Sequence, residues 1–384
     1  MVIVREVEDK DLTPLAEFMA RGFPDTLAKG IPYTTQEFWF SLFDYWWASN
    51  PAWTVQFPRG WVLEHESKIV GFLGNIPIRI LVRGESKLAA AANSWYVDPS
   101  VRGLASLRLF DTFVKQKGIS LLLSRAVNLS YSNLQAKYKF EKYRLPVSQT
   151  EYIAIIDKKP VMYNFLTCLI TVRVSKISEV LALYKKSWLF ALAYLYQKPV
   201  GRWDAVPDEN YTSSLCTSCD DTFSRIWEPF LNTHDISVSR DTKTLNWLYF
   251  SQARLSTRVV IQCRRKSDSS LAGYMVFDIQ RVKPTDTGTL YLMEMCIEHD
   301  DPDVLSSLLS YAVETGKKNR VSLLVVWANS RKTEAYFKKT FSLRRSAIKH
   351  RYFRFSGSAD PASVIREQGD ALQESMTWTK CISF

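Results

Sequence analysis

The chain repeats itself at the level of its elements, and this repeat constrains the fold more than any other feature. Lys68-Ile69-Val70-Gly71-Phe72 is echoed by Ser270-Leu271-Ala272-Gly273-Tyr274. Downstream of each lie, in the same order, a strand-like run, a helical run, an apolar strand and a second helix. In the first passage these are Asn93 to Val97, Gly103 to Lys117, Ile119 to Val127, and the helix holding Ala136-Lys137-Tyr138-Lys139-Phe140. In the second they are Leu290 to Ile297, Val304 to Lys317, Val321 to Trp327, and the helix holding Ala335-Tyr336-Phe337-Lys338-Lys339. Leu245-Asn246-Trp247-Leu248-Tyr249 likewise answers the aromatic stretch that ends in Trp46 and Trp47. Matching order and spacing with little identity is the trace left by two diverged copies of one α/β unit.

The first copy shows the unit in full. Val2 to Val7 alternates like a short strand, and Asp11-Leu12-Thr13-Pro14 opens a helix that runs to Phe23. A second helix, from Thr35 to Ala48, carries Phe38, Trp39, Phe40, Phe43, Tyr45, Trp46 and Trp47 and stops at Asn50-Pro51. Strands are expected at Gly60 to Glu66, Lys68 to Val82 and Leu88 to Val97. A helix follows from Gly103 to Lys117, then a strand from Ile119 to Val127 and a helix from Ser130 to Lys142. A strand from Val147 to Ile156 closes the unit. A chain of 384 residues has room for two such cores. The expected class is α/β (α+β): two tandem domains, each a mixed central sheet flanked by helices. Residues 1–157 form the first domain, 158–207 a basic helical connector, 208–356 the second domain and 357–384 a tail.

Charge and composition narrow the partners. With 46% apolar and 23% charged residues, disorder and coiled coil are excluded. The net charge of +11 favours an anionic ligand. No basic stretch interleaved with aromatics and no nucleic-acid module accompanies it, so a phosphorylated small molecule is expected rather than nucleic acid. Cys216 and Cys219 have a CxxC spacing, but no second pair or His pair completes a zinc site, so no metal is expected. Scattered cysteines and an N-terminus charged from Arg5 suit the cytoplasm. The apolar run Trp188 to Tyr196, bounded by Lys185, Lys186 and Lys198, is too short to span a bilayer. It suits a buried helix or a peripheral membrane contact.

The chemistry is carried by Trp95-Tyr96-Val97-Asp98-Pro99-Ser100-Val101-Arg102-Gly103-Leu104-Ala105-Ser106. A strand runs into a small-residue turn and then into a helix. Free N–H groups and the positive end of the helix dipole meet a ligand phosphate at such a point. This stretch resembles the GNAT superfamily of acyl-CoA-dependent N-acyltransferases, where a strand ending in Val-x-Pro precedes Arg/Gln-x-x-Gly-x-Gly/Ala. Two registers are open. One places Gly103-x-Ala105 on the glycine pair and Ser100 at the first position; the other starts at Arg102. In both, Arg102 stands where a phosphate would be met. The resemblance implies that Trp95, Tyr96, Val97, Arg102, Gly103, Leu104, Ala105 and Ser106 hold coenzyme A. Ser132-Asn133-Leu134-Gln135-Ala136-Lys137-Tyr138 resembles the family's next helix. That implies contact of Asn133 with the coenzyme arm and Tyr138 as the acid that protonates the departing thiolate; a packed core tyrosine is the competing reading. The strand Ala89-Ala90-Ala91-Ala92-Asn93-Ser94 has no acidic residue before Asp98, so no general base is named there. Asn93 or Ser94 is placed to hold a water, and Glu294 is the remoter choice.

In the second copy the corresponding loop reads Ile297-Glu298-His299-Asp300-Asp301-Pro302-Asp303. Carboxylates cap a helix N-terminus themselves and repel a pyrophosphate. The second copy is therefore expected not to bind coenzyme A but to help shape the acceptor site. The implied function is acyl transfer, acetyl transfer above all, from acyl-CoA as co-substrate to a primary amine of a small molecule or amino sugar. The aromatic helix from Phe38 to Trp47 is the lid or wall on the acceptor side, or plain core. Two other functions remain open: a non-catalytic acyl-CoA sensor or interaction module, and a Fem-like aminoacyl transferase.

Overall fold

The structure is a computed structural model. It describes residues 2–22, 34–124, 129–144, 150–157, 209–229, 236–251, 258–282, 287–341, 343–346 and 350–355. The strands in chain order are β1 (Ile3–Glu6), β2 (Gly60–His65), β3 (Lys68–Val82), β4 (Glu85–Val97), β5 (Leu121–Ser124), β6 (Glu141–Arg144) and β7 (Thr150–Ile155). They continue with β8 (Tyr211–Cys216), β9 (Ile236–Val238), β10 (Arg258–Arg265), β11 (Leu271–Val282), β12 (Thr287–Ile297), β13 (Val321–Trp327), β14 (Leu343–Ser346) and β15 (His350–Phe355). The helices are α1 (Leu12–Gly22), α2 (Gln36–Phe43), α3 (Leu104–Lys115), α4 (Leu129–Lys137), α5 (Asp221–Arg225), α6 (Thr242–Phe250), α7 (Pro302–Lys318) and α8 (Arg331–Thr340). They group into two compact units. One gathers residues from Met1–Pro146, Ser218–Leu255 and Ile348–Phe384, the other from Val147–Thr217 and Ser256–Ala347.

The first unit is built on a sheet of order β1-β2-β3-β4-β5-β15-β6, with β9 added to β3. Its ladders are antiparallel except β4–β5. A parallel neighbour needs a crossover, and α3 supplies it. Leu109, Phe110, Phe113 and Val114 recur at helical spacing on α3 and bury against Trp61, Leu63, Leu73, Ala90 and Leu122. Strand alternation turns Phe72 to the opposite face, where Phe43 of α2 meets it at 6.4 Å between ring centres. Thr35 caps α2 by accepting from the Phe38 amide. Beyond Phe43 the helix widens into a π turn, Asp44–Ala48. That extra residue per turn lets Tyr45, Trp46 and Trp47 all go inward; each is at most 2% exposed. Full burial of such side chains contributes roughly 1.5–3 kcal/mol each. The aromatic helix is thus core, with Phe40 its exposed member.

The second unit has the order β14-β7-β13-β12-β11-β10-β8, again with one parallel ladder, β12–β13, joined through α7. Leu305, Leu308, Leu309, Ala312 and Val313 of α7 pack on Met275, Phe277, Leu290, Leu292 and Leu324. Phe337 of α8 closes the layer against Tyr152, 5.4 Å between ring centres.

Three expectations are corrected. The strand at Val147 to Ile156 does not close the first sheet. It is β7, paired with β13 and β14 in the second, and the first sheet instead receives β15 between β5 and β6. The two sheets have exchanged their closing strands. The helix around Trp247 is not the second sheet's own cover: α6 belongs to the first unit, where Trp247 stacks on Tyr45 at 5.1 Å and donates its indole N–H to the Tyr45 carbonyl. The helix expected through Lys142 ends at Lys137. Lys139 takes φ 58° and the Phe140 amide returns to the Gln135 carbonyl, a left-handed helix stop made without glycine. The connector 158–207, the run Trp188 to Tyr196 and the tail 357–384 lie outside the described residues. Among those described, no helix is long and apolar enough to cross a membrane.

Candidate functional site

The site is built on the C-terminal half of β4. Its parallel ladder to β5 pairs Ala89–Ala91 with Leu121–Leu123, and β4 runs on to Val97. Ala91, Ala92, Asn93 and Ser94 are small or short residues and half-buried. The ladder to β3 is irregular here. Phe72 pairs with Tyr96 and Gly74 with Asn93, so Leu73 faces two residues, Ser94 and Trp95. The surplus residue is a β-bulge: Ser94 sits at φ 49° and its amide is held by its neighbour's Asn93 Oδ1 at 2.8 Å. A bulge bends its strand and sharpens its twist.

The chain then makes a 3-10 turn, Pro99–Val101, opened by Asp98, whose carboxylate accepts from the Ser100 amide and hydroxyl. Those two bonds, the hydroxyl's first, hold the Asp98 carboxyl below its ordinary range, and the charges of Arg102 and Arg21 add to the effect. Arg102 is exposed and donates its Nε–H to the Val97 carbonyl at 3.0 Å. Gly103 stands as N-cap of α3 at φ 107°, ψ −125°, with no side-chain cap. Only glycine takes that backbone conformation without strain. Nothing lies within 4 Å of where its Cβ would be, so the space before the helix is open. The amides of Leu104, Ala105 and Ser106 are the first-turn donors that no helical carbonyl satisfies; the first return bond is Leu107 to Gly103. Leu104 is 79% exposed, while Ala105 packs on the core beneath.

Trp95 and Tyr96 point to opposite faces. Trp95 stacks on Phe110 of α3 at 5.5 Å. Tyr96 lies 5.2 Å from Phe18 of α1, and its ring closes over Gly22 so tightly that a Cβ there would come within 2.4 Å. The structure therefore brings Trp95 through Ser106 together at one strand–turn–helix. Asn133 is exposed on α4. Tyr138 packs edge-on to Phe110 at 5.3 Å and directs its hydroxyl to Asp111 of α3, 3.4 Å away. Burial first, and the Asp111 charge second, raise the phenol above its ordinary range.

The same place in the second unit is filled by the protein. The β12–β13 ladder covers Gly288–Tyr291, and a bulge leaves Met293 surplus opposite β11. Beyond that ladder the two strands are bridged: Trp327 Nε1 donates to the Leu292 carbonyl at 2.7 Å, and Asn329 Nδ2 reaches the Met295 carbonyl at 3.4 Å. Asp301 caps α7 through the Asp303 amide and accepts from the Tyr211 hydroxyl. Glu298 pairs with Arg265. His299 and Asp300 both take positive φ, at 53° and 54°, a backbone unlike the 3-10 turn of the first unit. Glu294 is fully buried on β12. Among the described residues, no cluster of His, Cys, Asp or Glu is arranged to hold a metal.

Sequence reasoning missed the bulge, which leaves no residue-type signal beyond the short polar pair Asn93-Ser94. It also missed Gln135, a side chain buried on α4.

No protein-family model matches the sequence, and no curated protein matches it significantly. Solved structures do. Saccharomyces cerevisiae N-myristoyltransferase with bound myristoyl-CoA aligns over 94% of this chain and 80% of its own, at TM-score 0.55 and 13% identity. A GCN5-related N-acetyltransferase from Anabaena variabilis ATCC 29413 aligns over 92% and 73%, at 0.51 and 10%. A conserved Enterococcus faecalis V583 protein of unknown function aligns over 92% and 73%, at 0.54 and 11%. At such identities the likeness shows the fold: this chain is built on the fold of the GNAT-type N-acyltransferases, with two mixed sheets flanked by helices.

Proposed function

We propose that this chain is an acyl-CoA-dependent N-acyltransferase that passes an acyl group, acetyl above all, to a primary amine of a small molecule or amino sugar. The observation that carries the reading is the uncapped N-terminus of α3, with Gly103 at its head, just after the bulged end of β4. A flexible arm with amide groups fits along a strand edge, and a pyrophosphate fits the donors of Leu104, Ala105 and Ser106 with Arg102 beside them. The solved N-myristoyltransferase, which shares the fold, holds an acyl-CoA.

In the reaction the acceptor amine attacks the thioester carbonyl, a C–N bond forms and the C–S bond breaks. The amine nitrogen gives up a proton to solvent as the amide forms, and the coenzyme leaves as a thiolate and takes up a proton. The β4 backbone at the bulge polarises the carbonyl. Tyr138, held protonated by burial, is the proposed proton source. The second unit takes no coenzyme, because its strands are bridged there by Trp327 and Asn329 and its helix is capped by Asp301.

The test is release of free thiol from acetyl-CoA in the presence of a panel of small amines and amino sugars. Amine-dependent thiol release supports the reading. Tight binding of acetyl-CoA without turnover on any amine would favour the sensor. Within an active enzyme, loss of kcat in Tyr138→Phe with unchanged KM for acetyl-CoA supports the proton role, and an unchanged kcat assigns Tyr138 to packing.

A further inference from the structure

An open sheet ends in strands with unpaired peptide groups, and such an edge can pair with another chain unless it is blunted. The end strands of the two sheets are β1, β6, β14 and β8. Three of them are charged: Ile3-Val4-Arg5-Glu6, Glu141-Lys142-Tyr143-Arg144 and Leu343-Arg344-Arg345-Ser346. Charges of that kind keep an edge from pairing. β8 reads Tyr211-Thr212-Ser213-Ser214-Leu215-Cys216, with neither a charge nor a proline, and its register with β10 runs without a bulge. Thr212 is exposed, and Leu215 is a large apolar side chain left 53% exposed.

The β10 ladder fixes which groups of β8 point outward. The Lys266 amide donates to the Asn210 carbonyl at 2.8 Å, so Asn210 turns its peptide groups towards β10. In an antiparallel ladder that direction alternates from residue to residue. Thr212 and Ser214 therefore bond to β10, while Tyr211, Ser213 and Leu215 direct their N–H and C=O groups away from it. Among the described residues those outward groups meet no partner. Tyr211 and Ser213 place their side chains on the α7 face: the Tyr211 hydroxyl reaches Asp301, and Ser213 Oγ lies 2.8 Å from Ser307 Oγ. Leu215, two residues on, shares that face.

We propose that β8 pairs with the β8 of a second copy of this chain, antiparallel about a twofold axis at Ser213. Such an axis keeps each face of the sheet on its own side, so only residues of one parity oppose one another. It sets Ser213 opposite its own copy, Tyr211 opposite Leu215, and Thr212 opposite Ser214. All three outward residues then exchange backbone hydrogen bonds, and the exposed Leu215 gains an aromatic neighbour. No charge meets its like on this strand, whereas a twofold at either arginine of β14 sets that arginine opposite itself. With a net charge of +11 on each copy, an uncharged edge is where two copies can approach. One strand pair is smaller than the roughly 1,200–2,000 Å² of a stable interface, so the association is reversible.

The experiment is sedimentation equilibrium of the whole chain across micromolar concentrations, comparing wild type with Leu215→Lys and Val55→Lys. Both substitutions replace an exposed apolar side chain by lysine and add the same charge, but only Leu215 lies on β8. The expected result is a monomer–dimer equilibrium in wild type and in Val55→Lys, with the dimer weakened roughly tenfold or more in Leu215→Lys. A wild type that stays monomeric throughout overturns the proposal, and so does a dimer that Leu215→Lys leaves intact. Should Leu215→Lys not fold, hydrogen exchange resolved to single residues in wild type decides. Amide protection at Tyr211, Ser213 and Leu215 that grows with protein concentration supports the pairing; exchange there that is independent of concentration overturns it. Thr212 and Ser214, protected by β10 at every concentration, are the internal reference.

Discussion

Deleting everything after Ala347 should unfold the first unit, although every residue of its other sheet strands is retained. β15 lies inside that sheet, with four registered pairs to β5 and four to β6. In antiparallel ladders that corresponds to about eight backbone hydrogen bonds, each worth a net 0.5–1.5 kcal/mol, or roughly 4–12 kcal/mol together. A domain's whole stability is about 5–15 kcal/mol. The loss is compounded because β6 is left with no neighbour and β5 becomes an open edge. The assay is guanidinium unfolding followed by near-UV circular dichroism, where the buried tryptophans of the first unit report. A chain ending at Phe355 is the control, since it keeps β15 and differs from the truncation by that strand and its approach. The expected outcome is a lost or early transition for the chain ending at Ala347 and a retained one for the chain ending at Phe355. Equal midpoints for the two would refute the exchange of closing strands. The same reasoning makes a fragment of residues 1–157 unable to fold alone, because it lacks β15 and carries β7 with no sheet to join.

Two further outcomes follow from particular contacts. Asp11 is 3% exposed and receives both Arg5 terminal nitrogens, at 2.6 and 2.8 Å. Burial opposes its charge, but the Arg5 bonds and the Glu8 amide outweigh it and hold the carboxyl below its ordinary range. Its stabilisation is therefore complete above about pH 4, the unfolded value, and lost as pH falls through the lower folded value. In Asp11→Asn the neutral-pH stability should drop by roughly 1–3 kcal/mol and the acid-side decline should shrink, read from urea midpoints between pH 2 and 7. In Trp327→Phe the Leu292 carbonyl loses its donor inside the second unit, at a cost of about 1–3 kcal/mol in urea unfolding. The variant should still show one acetyl-CoA equivalent by calorimetry, since Asp301 keeps the second helix capped.

Local structure was legible because it is written locally. β3 spans Lys68–Val82 and β13 spans Val321–Trp327, the bounds that apolar pattern and flanking turns indicate. The acidic cap at Asp301 could be read because an N-cap acts within three residues. The turn before α3 could be read because Gly103 answers a backbone demand at its own position. Partner choice was illegible. β7 has the alternation that suits either sheet, and its ladder to β13 joins residues about 170 positions apart, which no window registers. Trp247 has helical spacing whether it covers one sheet or the other. The bulge at Ser94 is a register difference between two strands, so it exists in neither strand's sequence alone. Gln135 reads as one more polar residue on a weakly amphipathic helix until its burial is seen.

The central claim is that the first unit, and not the second, holds an acyl-CoA at the Gly103 turn. The most direct measurement is a calorimetric titration of acetyl-CoA into wild type and into Arg102→Ala/Gly103→Asp. The double substitution removes the exposed guanidinium, forces a side chain onto φ 107° and sets a carboxylate before the first-turn amides of α3. One equivalent bound by wild type and none by the variant is the expected result. Two equivalents in wild type, undiminished binding in the variant, or no acyl-CoA bound by wild type would contradict the claim.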